Sequence, residues 1–419
     1  MATQKGVWNL QQGRDKQLQS LWDYEGTLSG SLYLWGPGYN GAIGNNKADG
    51  HNPAPSVMIN SPTQVPGTWA NAIFAGNGGD MNGGIKTDGT VWAWGRNTYG
   101  QLGQNNVTSY SSPVQVGSDT TWRKRSDTPG SNGVSGHASI IQAGSSCFAF
   151  KTDGTLWGWG ANGRGFLAQP GDDYTGSGGG PGPHHSSPVQ IPGTTWKLIA
   201  ANASSTAFGI KTDGTLWSWG YNSGGKLGLN QPGAYPALSI SSPTQIPGTT
   251  WKTIVVNGGS NGVLATKTDG TLWAWGNNLR GQFGNNTSGP GAQYSSPVQI
   301  TGTTWDRPLN AGGDVSVVLK TDGTLWGMGK NEVGELGINN ANQISSPTQI
   351  PGTTWKDGAG KQGRTYATKT DGTLWAWGTN YYGSLGISES SYVLYSSPVQ
   401  VPGTWISVHT WDEGGGGIK

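Results

Sequence analysis

Few side chains in this chain stand at spacings that would let them ligate, titrate or attack. Asp172-Asp173-Tyr174 and His184-His185 fall in one long, glycine-rich stretch. Two Asp and two His could ligate a metal, but no ligand spacing of a known site is present, and residues adjacent in an extended chain diverge. The stretch reads as a solvated recognition loop, with no metal and no cofactor. His51, His137 and His409 are scattered. No Ser/His/Asp order, distinctive carboxylate pair or phosphate-cradling loop is present, so no enzyme is expected. Cys147, the single cysteine, sits in a strand as a small hydrophobe and excludes an internal disulfide.

The elements around these residues come from a repeat. Lys-Thr-Asp-Gly-Thr-Leu-Trp-x-Trp-Gly begins, with small variations, at Lys86, Lys151, Lys211, Lys267, Lys320 and Lys369. A worn seventh copy, Ser31-Leu32-Tyr33-Leu34-Trp35-Gly36, precedes them. Successive copies lie 49 to 65 residues apart, a period that signals a repeat architecture. A second phrase, Ser-Ser-Pro-Val/Thr-Gln-Ile/Val-Pro-Gly-Thr-Thr-Trp, recurs with variations between copies of the first. Asp-Gly between alternating apolar runs predicts a hairpin with a type I′ turn. Asp88, Asp153, Asp213, Asp269, Asp322 and Asp371 are thereby assigned to turns. Each unit reads as four short antiparallel strands. Trp157 and Trp159 share one strand face, with Leu156 and Gly158 on the other. Large against small residues allow one sheet to stack on the next, which predicts a propeller. The repeated Trp residues could also serve as sugar-stacking platforms; their fixed register favours packing between blades.

The expected fold is all-β, a seven-bladed β-propeller of four-stranded antiparallel blades over residues 27–419. The last unit ends at Gly417-Ile418-Lys419, before its Asp-Gly turn, and Thr27 to Gly36 supplies the strand that would follow. Strands from both termini would then share one blade and close the ring, removing open edges. The stretches Gly95 to Gly103 and Gly276 to Gly284, with their preceding hairpins, resemble the repeat of the regulator of chromosome condensation family, a seven-bladed propeller. That resemblance covers roughly residues 27–419. It implies the fold; some family members are exchange factors for a small GTPase, and many only bind proteins. No exchange residue is carried over, because neither the basic arm nor the wedge of the exchange factors is found.

Whatever differs between repeats is the expected working part. Loops after Trp-Gly run from 16 to 26 residues before the next Ser-Ser-Pro, all on one face, and insertions on one face mark a binding face. They offer Tyr99, Tyr110, Tyr174, His184, His185, Tyr235, Tyr294, Tyr381, Tyr382 and Tyr392, and Tyr gives large contact area at low entropy cost. On the uniform face one insert, roughly Arg123 to Ser135, carries Arg123-Lys124-Arg125 as a candidate docking lug.

Residues 1–26 fall outside the repeat. Trp8, Leu10, Leu18, Leu21 and Trp22 sit in a short helical pattern that needs a surface to lie on. Gly6 to Gln12 with the charged stretch after it resembles the N-terminal segment of marine and cyanobacterial phage tail and fibre proteins. This implies a virion protein, a tail fibre or capsid decoration, anchored to other virion proteins by that segment. Its loop face would bind a host surface glycan or protein, and the assembled particle could hold it as an oligomer. Localisation in the virion, with release by lysis, is the matching expectation. The alternative is a cellular protein-binding propeller, a scaffold or regulator of a small GTPase. A net charge of +2 gives no footprint for nucleic acid, and no apolar run is long enough for membrane insertion.

Overall fold

A computed structural model describes residues 30–37, 41, 44–46, 58–75, 81–124, 140–169, 183–202, 205–232, 239–256, 262–310, 313–361, 363–380, 384–387, 393–405, 407–411 and 414–418. The helical pattern of residues 1–26, with Trp8, Leu10, Leu18, Leu21 and Trp22, lies outside the described residues.

Blade three shows the plan: strands Trp196–Asn202, Thr206–Lys211, Leu216–Tyr221 and Ser239–Ile246 pair in sequence order, all antiparallel. Blades two, four, five and six repeat it, starting at Ile140, Trp251, Trp305 and Trp355. Blade one uses the second half of the long strand Met58–Ala75, then Met81–Lys86, Val91–Gly95 and Tyr110–Gln115. That makes six four-stranded blades. First strands of successive blades touch one another in order, so they line the axis of the ring.

The two ends carry the parts of a seventh unit. Gly30–Pro37 pairs with the first half of Met58–Ala75 in the register of a third and fourth strand: Leu32 faces Val65 as Leu216 faces Ile246. Ser407–Trp411 and Gly414–Ile418 form a hairpin, and the first of them packs on the first strand of blade six. Asn46 donates its amide to the Ser111 carbonyl at 2.9 Å, the bond by which later blades hold their successors. Among the described residues the hairpin and Gly30–Pro37 lie in separate sheets, so no strand pairing joins them into the shared blade expected from the sequence.

The core is interleaved between blades. Trp94, Trp159, Trp219, Trp275 and Trp377 are 0% exposed, as packing between sheets requires. The hairpin turn differs from the expectation. Only Gly89 has positive φ (+84°), and its amide bonds the Lys86 carbonyl at 3.0 Å, so this is a type I turn with a glycine bulge rather than type I′. The Asp88 carboxylate accepts the Thr90 amide and hydroxyl at 3.0 and 2.6 Å, which suits an Asp of ordinary φ.

Candidate functional site

The variable face is built from the loops after Trp-Gly. Each of six opens on a buried Asn: Asn97, Asn162, Asn222, Asn278, Asn331 or Asn380. Asn278 Oδ1 accepts the Phe283 amide at 3.0 Å, and Nδ2 donates to the Thr287 carbonyl at 2.9 Å. The bond from Asn to the later amide recurs at Leu102, Leu167, Leu227, Leu336 and Leu385. One amide side chain holds acceptor and donors, so it buckles the loop from both sides.

Each buckle docks on the next blade. Asn105, Asn230, Asn286 and Asn339 donate their amides to Ser186, Ser295, Ser345 and Ser396 at 2.6 to 2.8 Å. A Cβ on Gly281 (φ +75°) would stand 2.8 Å from the Ser345 Cα, so the close approach needs glycine. Trp159, Trp219, Trp275 and Trp377 donate their indole N–H back to carbonyls of the preceding loop, each at 2.9 Å. The bases of the loops are therefore rigid parts of the ring, and their length varies beyond those anchors.

Four large apolar side chains are exposed among the described residues: Val107, Leu279, Val393 and Leu394. All belong to these loops or to the strand end they feed. Sequence reasoning missed them by following Tyr alone; an apolar residue in a polar loop was the available signal. A basic pair also lies here, Lys226 buried and Arg164 half-buried. The Arg164 guanidinium is 3.6 Å from the Tyr221 ring centroid and Lys226 Nζ is 5.1 Å from it. Burial, and secondarily the charge of Arg164, push the Lys226 ammonium down to about 7.

The expected loop residues divide. Tyr99 is half-buried, with Arg96 6.0 Å from its ring. Tyr110 is the first and Tyr294 the second residue of a fourth strand, and their hydroxyls accept from Asn106 and Asn285 at 3.1 and 2.9 Å, within the loop base. His184 and His185 start the strand His184–Gln190 rather than ending a loop, and alternation sends adjacent strand residues to opposite faces. Tyr174, Tyr235, Tyr381, Tyr382 and Tyr392 lie outside the described residues.

The insert lies where other blades carry a bulge. First strands shift register just after their Trp, as at Trp196/Leu198 and Trp251/Thr253. In blade two, Trp122 bridges Lys151, Arg123 bonds Phe150, and the strand resumes at Ile140. The Arg123 side chain is buried 3.9 Å over the Phe150 ring and reaches the Lys197 carbonyl. Lys124 Nζ donates to the Thr87 carbonyl at 2.9 Å. Both staple neighbouring blades instead of standing out as a lug; Arg125 lies outside the described residues.

Fold and site together define a repeat propeller with one uniform and one variable face. The family model described as the regulator of chromosome condensation (RCC1) repeat matches residues 88–126 and 213–265. Human Protein RCC2 is 27% identical over 143 residues, covering 34% of this chain and 26% of that protein. The Arabidopsis thaliana RCC1 domain-containing protein RUG3, mitochondrial, is 25% identical over 327 residues, covering 74% of this chain and 64% of its own length. The fold is that of Prp20p from Saccharomyces cerevisiae, with a TM-score of 0.66, 18% identity, and 95% and 94% of the two chains covered. Human WBSCR16 is alike at a TM-score of 0.66 and 18% identity, covering 90% and 96%. These similar proteins are cellular, which overturns the virion localisation expected from the sequence. None of these similarities supports the resemblance to phage tail proteins.

Proposed function

We propose that this chain is a cellular protein-binding propeller that takes up a partner on its variable loop face and performs no covalent chemistry. The observation that carries this reading is that Val107, Leu279, Val393 and Leu394, on loops of blades one, four and six, are all exposed on that face. Apolar side chains held in water on a rigid frame gain by burial against a partner, roughly 1.5–3 kcal/mol for a fully buried Leu or Val. Similar proteins support the class: Prp20p of Saccharomyces cerevisiae has binding properties toward Gsp1p and histones. A scaffold or regulator of a protein partner fits this face.

The test is affinity capture of the full chain from lysate of its source cells, with recovered proteins quantified by mass spectrometry. A variant carrying Val107→Ser, Leu279→Ser and Leu394→Ser keeps its melting temperature and loses the recovered partner. Equal recovery by both proteins would remove the loop face from the proposal.

A further inference from the structure

The uniform face holds a second kind of site, independent of the loop face. In each of six blades a Lys from the hairpin phrase lies between two Trp rings. Lys267 Nζ is 4.6 Å from the Trp251 centroid and 4.4 Å from Trp273; Lys211, Lys320 and Lys369 repeat this at 4.1 to 4.9 Å. None of these four has an ion pair among the described residues, and each is half-buried. Beside them, the indole N–H groups of Trp196, Trp251, Trp305 and Trp355 are buried without a hydrogen-bond partner, and so is that of Trp122 in blade two. A buried donor left unpaired costs free energy, so five copies in one register call for an explanation.

Blade two shows what fits there. Its turn reads Gly117-Ser118-Asp119-Thr120-Thr121 where blade three has Pro192-Gly193-Thr194-Thr195. Counting back from Trp122 and Trp196, Asp119 stands where blade three has Gly193. The Asp119 carboxylate bonds Lys151 Nζ at 2.6 Å. In blade three a glycine stands there and no carboxylate: a Cβ on Gly193 would come within 3.3 Å of Lys211 Nζ, and Gly248 and Gly352 stand likewise before Lys267 and Lys369. The neighbouring hairpin Asp is no bar, since Lys151 is flanked by Asp153 and still accepts Asp119. Asp213, Asp269, Asp322 and Asp371 are each occupied by the Thr two residues on.

We propose that Lys211, Lys267, Lys320 and Lys369 are carboxylate acceptors, one per blade from three to six, that together bind an acidic segment of a partner protein. Each niche offers an ammonium without an ion pair between two indole rings, and the arc ends at blade two, where Asp119 takes the Lys151 ammonium from within although the Trp122 indole stays unpaired. Blade one differs again: Trp69 Nε1 bonds the Val65 carbonyl at 3.3 Å, so its indole is satisfied. Weak single contacts become a useful affinity only when one chain engages several, which favours a segment over a free anion.

The test uses the full chain with an oligoglutamate peptide as probe. Sodium acetate at the same carboxylate concentration is the free-anion arm. The readout is the indole N–H NMR signals of Trp196, Trp251, Trp305 and Trp355. The peptide shifts these four and spares Trp122. Joint replacement Lys211→Met, Lys267→Met, Lys320→Met and Lys369→Met weakens peptide binding at least about tenfold. Exchange of Pro192-Gly193 for Gly-Ser-Asp fills one niche from within and silences Trp196 alone, a result that a general folding defect does not give. Equal shifts with acetate would overturn the segment. Peptide binding that survives the Lys replacements, or a Trp122 response equal to the others, would overturn the niches.

Discussion

The two ends of each blade are closed by a short polar side chain, but in opposite ways. At the uniform end, Asp269 bonds the amide and hydroxyl of Thr271, two residues away, in water. At the variable end, Asn278 is wholly buried and its loop goes on to bond Ser345 of the next blade. The first closure is complete within one hairpin and repeats almost unchanged. The second fastens a loop base to its neighbour, and the length of the loop beyond it differs between blades. Loop length adds entropy cost only slowly, so sequence can change there while the ring stays intact. Apart from the insert and turn of blade two, differences in length lie on the face that has an anchor from which a loop can grow.

The two Trp of one strand make the sharpest contrast. Trp219 is 0% exposed and bonds the preceding loop through Phe166, whereas Trp217 is half-buried beside Lys211. Trp219→Ala should cost about 3–5 kcal/mol in urea unfolding, since it opens a cavity between blades. Trp217→Ala should cost clearly less, because water already reaches that site. Equal losses would mean that the two ends share the load, and the comparison would fail.

The closing side chains come next. Asn278→Ala leaves the buried Phe283 amide without its acceptor and should cost roughly 1–3 kcal/mol. Asp269→Ala exposes its Thr271 donors to water and should cost about 0.5–1 kcal/mol at neutral pH. Hydrogen bonds from the Thr271 hydroxyl and amide hold the Asp269 carboxyl below its ordinary 3.8. Its contribution is therefore present above that pH and is lost as acid protonates it. A loss for Asp269→Ala that persists at pH 2 would show that the turn depends on something other than the ionised carboxylate.

How much of this was legible follows the same division. Strands, Trp spacing and the hairpin Asp are local facts, and the repeat prints them six times. Even so, the turn type was misread, because a glycine in the bulge position also supplies the positive φ that Asp-Gly suggests. The buckling Asn was visible as a repeated residue, but its role depends on a carbonyl or amide several residues on. Arg123 and Lys124 looked like a lug because a basic triplet in an insert says nothing about where side chains turn. The Lys197 and Thr87 carbonyls that receive them belong to neighbouring blades. Likewise the tyrosines of the loops could be placed on the right face, but the hydroxyls of Tyr110 and Tyr294 prove to be engaged by Asn106 and Asn285. Contacts between blades set these details, and periodicity along one blade does not encode them.

Lys226 tests the buried end with the smallest change. It occupies the loop position held by Gln101 in blade one and Gln282 in blade four, whose side chains accept backbone amides at 2.8 and 2.9 Å. Burial, then Arg164, lowers its ammonium from 10.5 to about 7. Above that value the folded chain holds Lys226 neutral while the unfolded chain keeps the proton, so stability gained from its deprotonation rises with pH. The rise runs from about 7 to 10.5 and disappears as pH falls through the folded value. Its limiting slope is about 1.4 kcal/mol per pH unit. Lys226→Gln removes that slope, so the stability difference between wild type and variant should shift by about 1 kcal/mol between pH 7 and 8, toward wild type at the higher pH. Parallel pH profiles would mean that Lys226 titrates near its ordinary value in the fold. The loop base would then admit enough water to solvate a charge, and the contrast between a closed variable end and an open uniform end would have to be withdrawn for that blade.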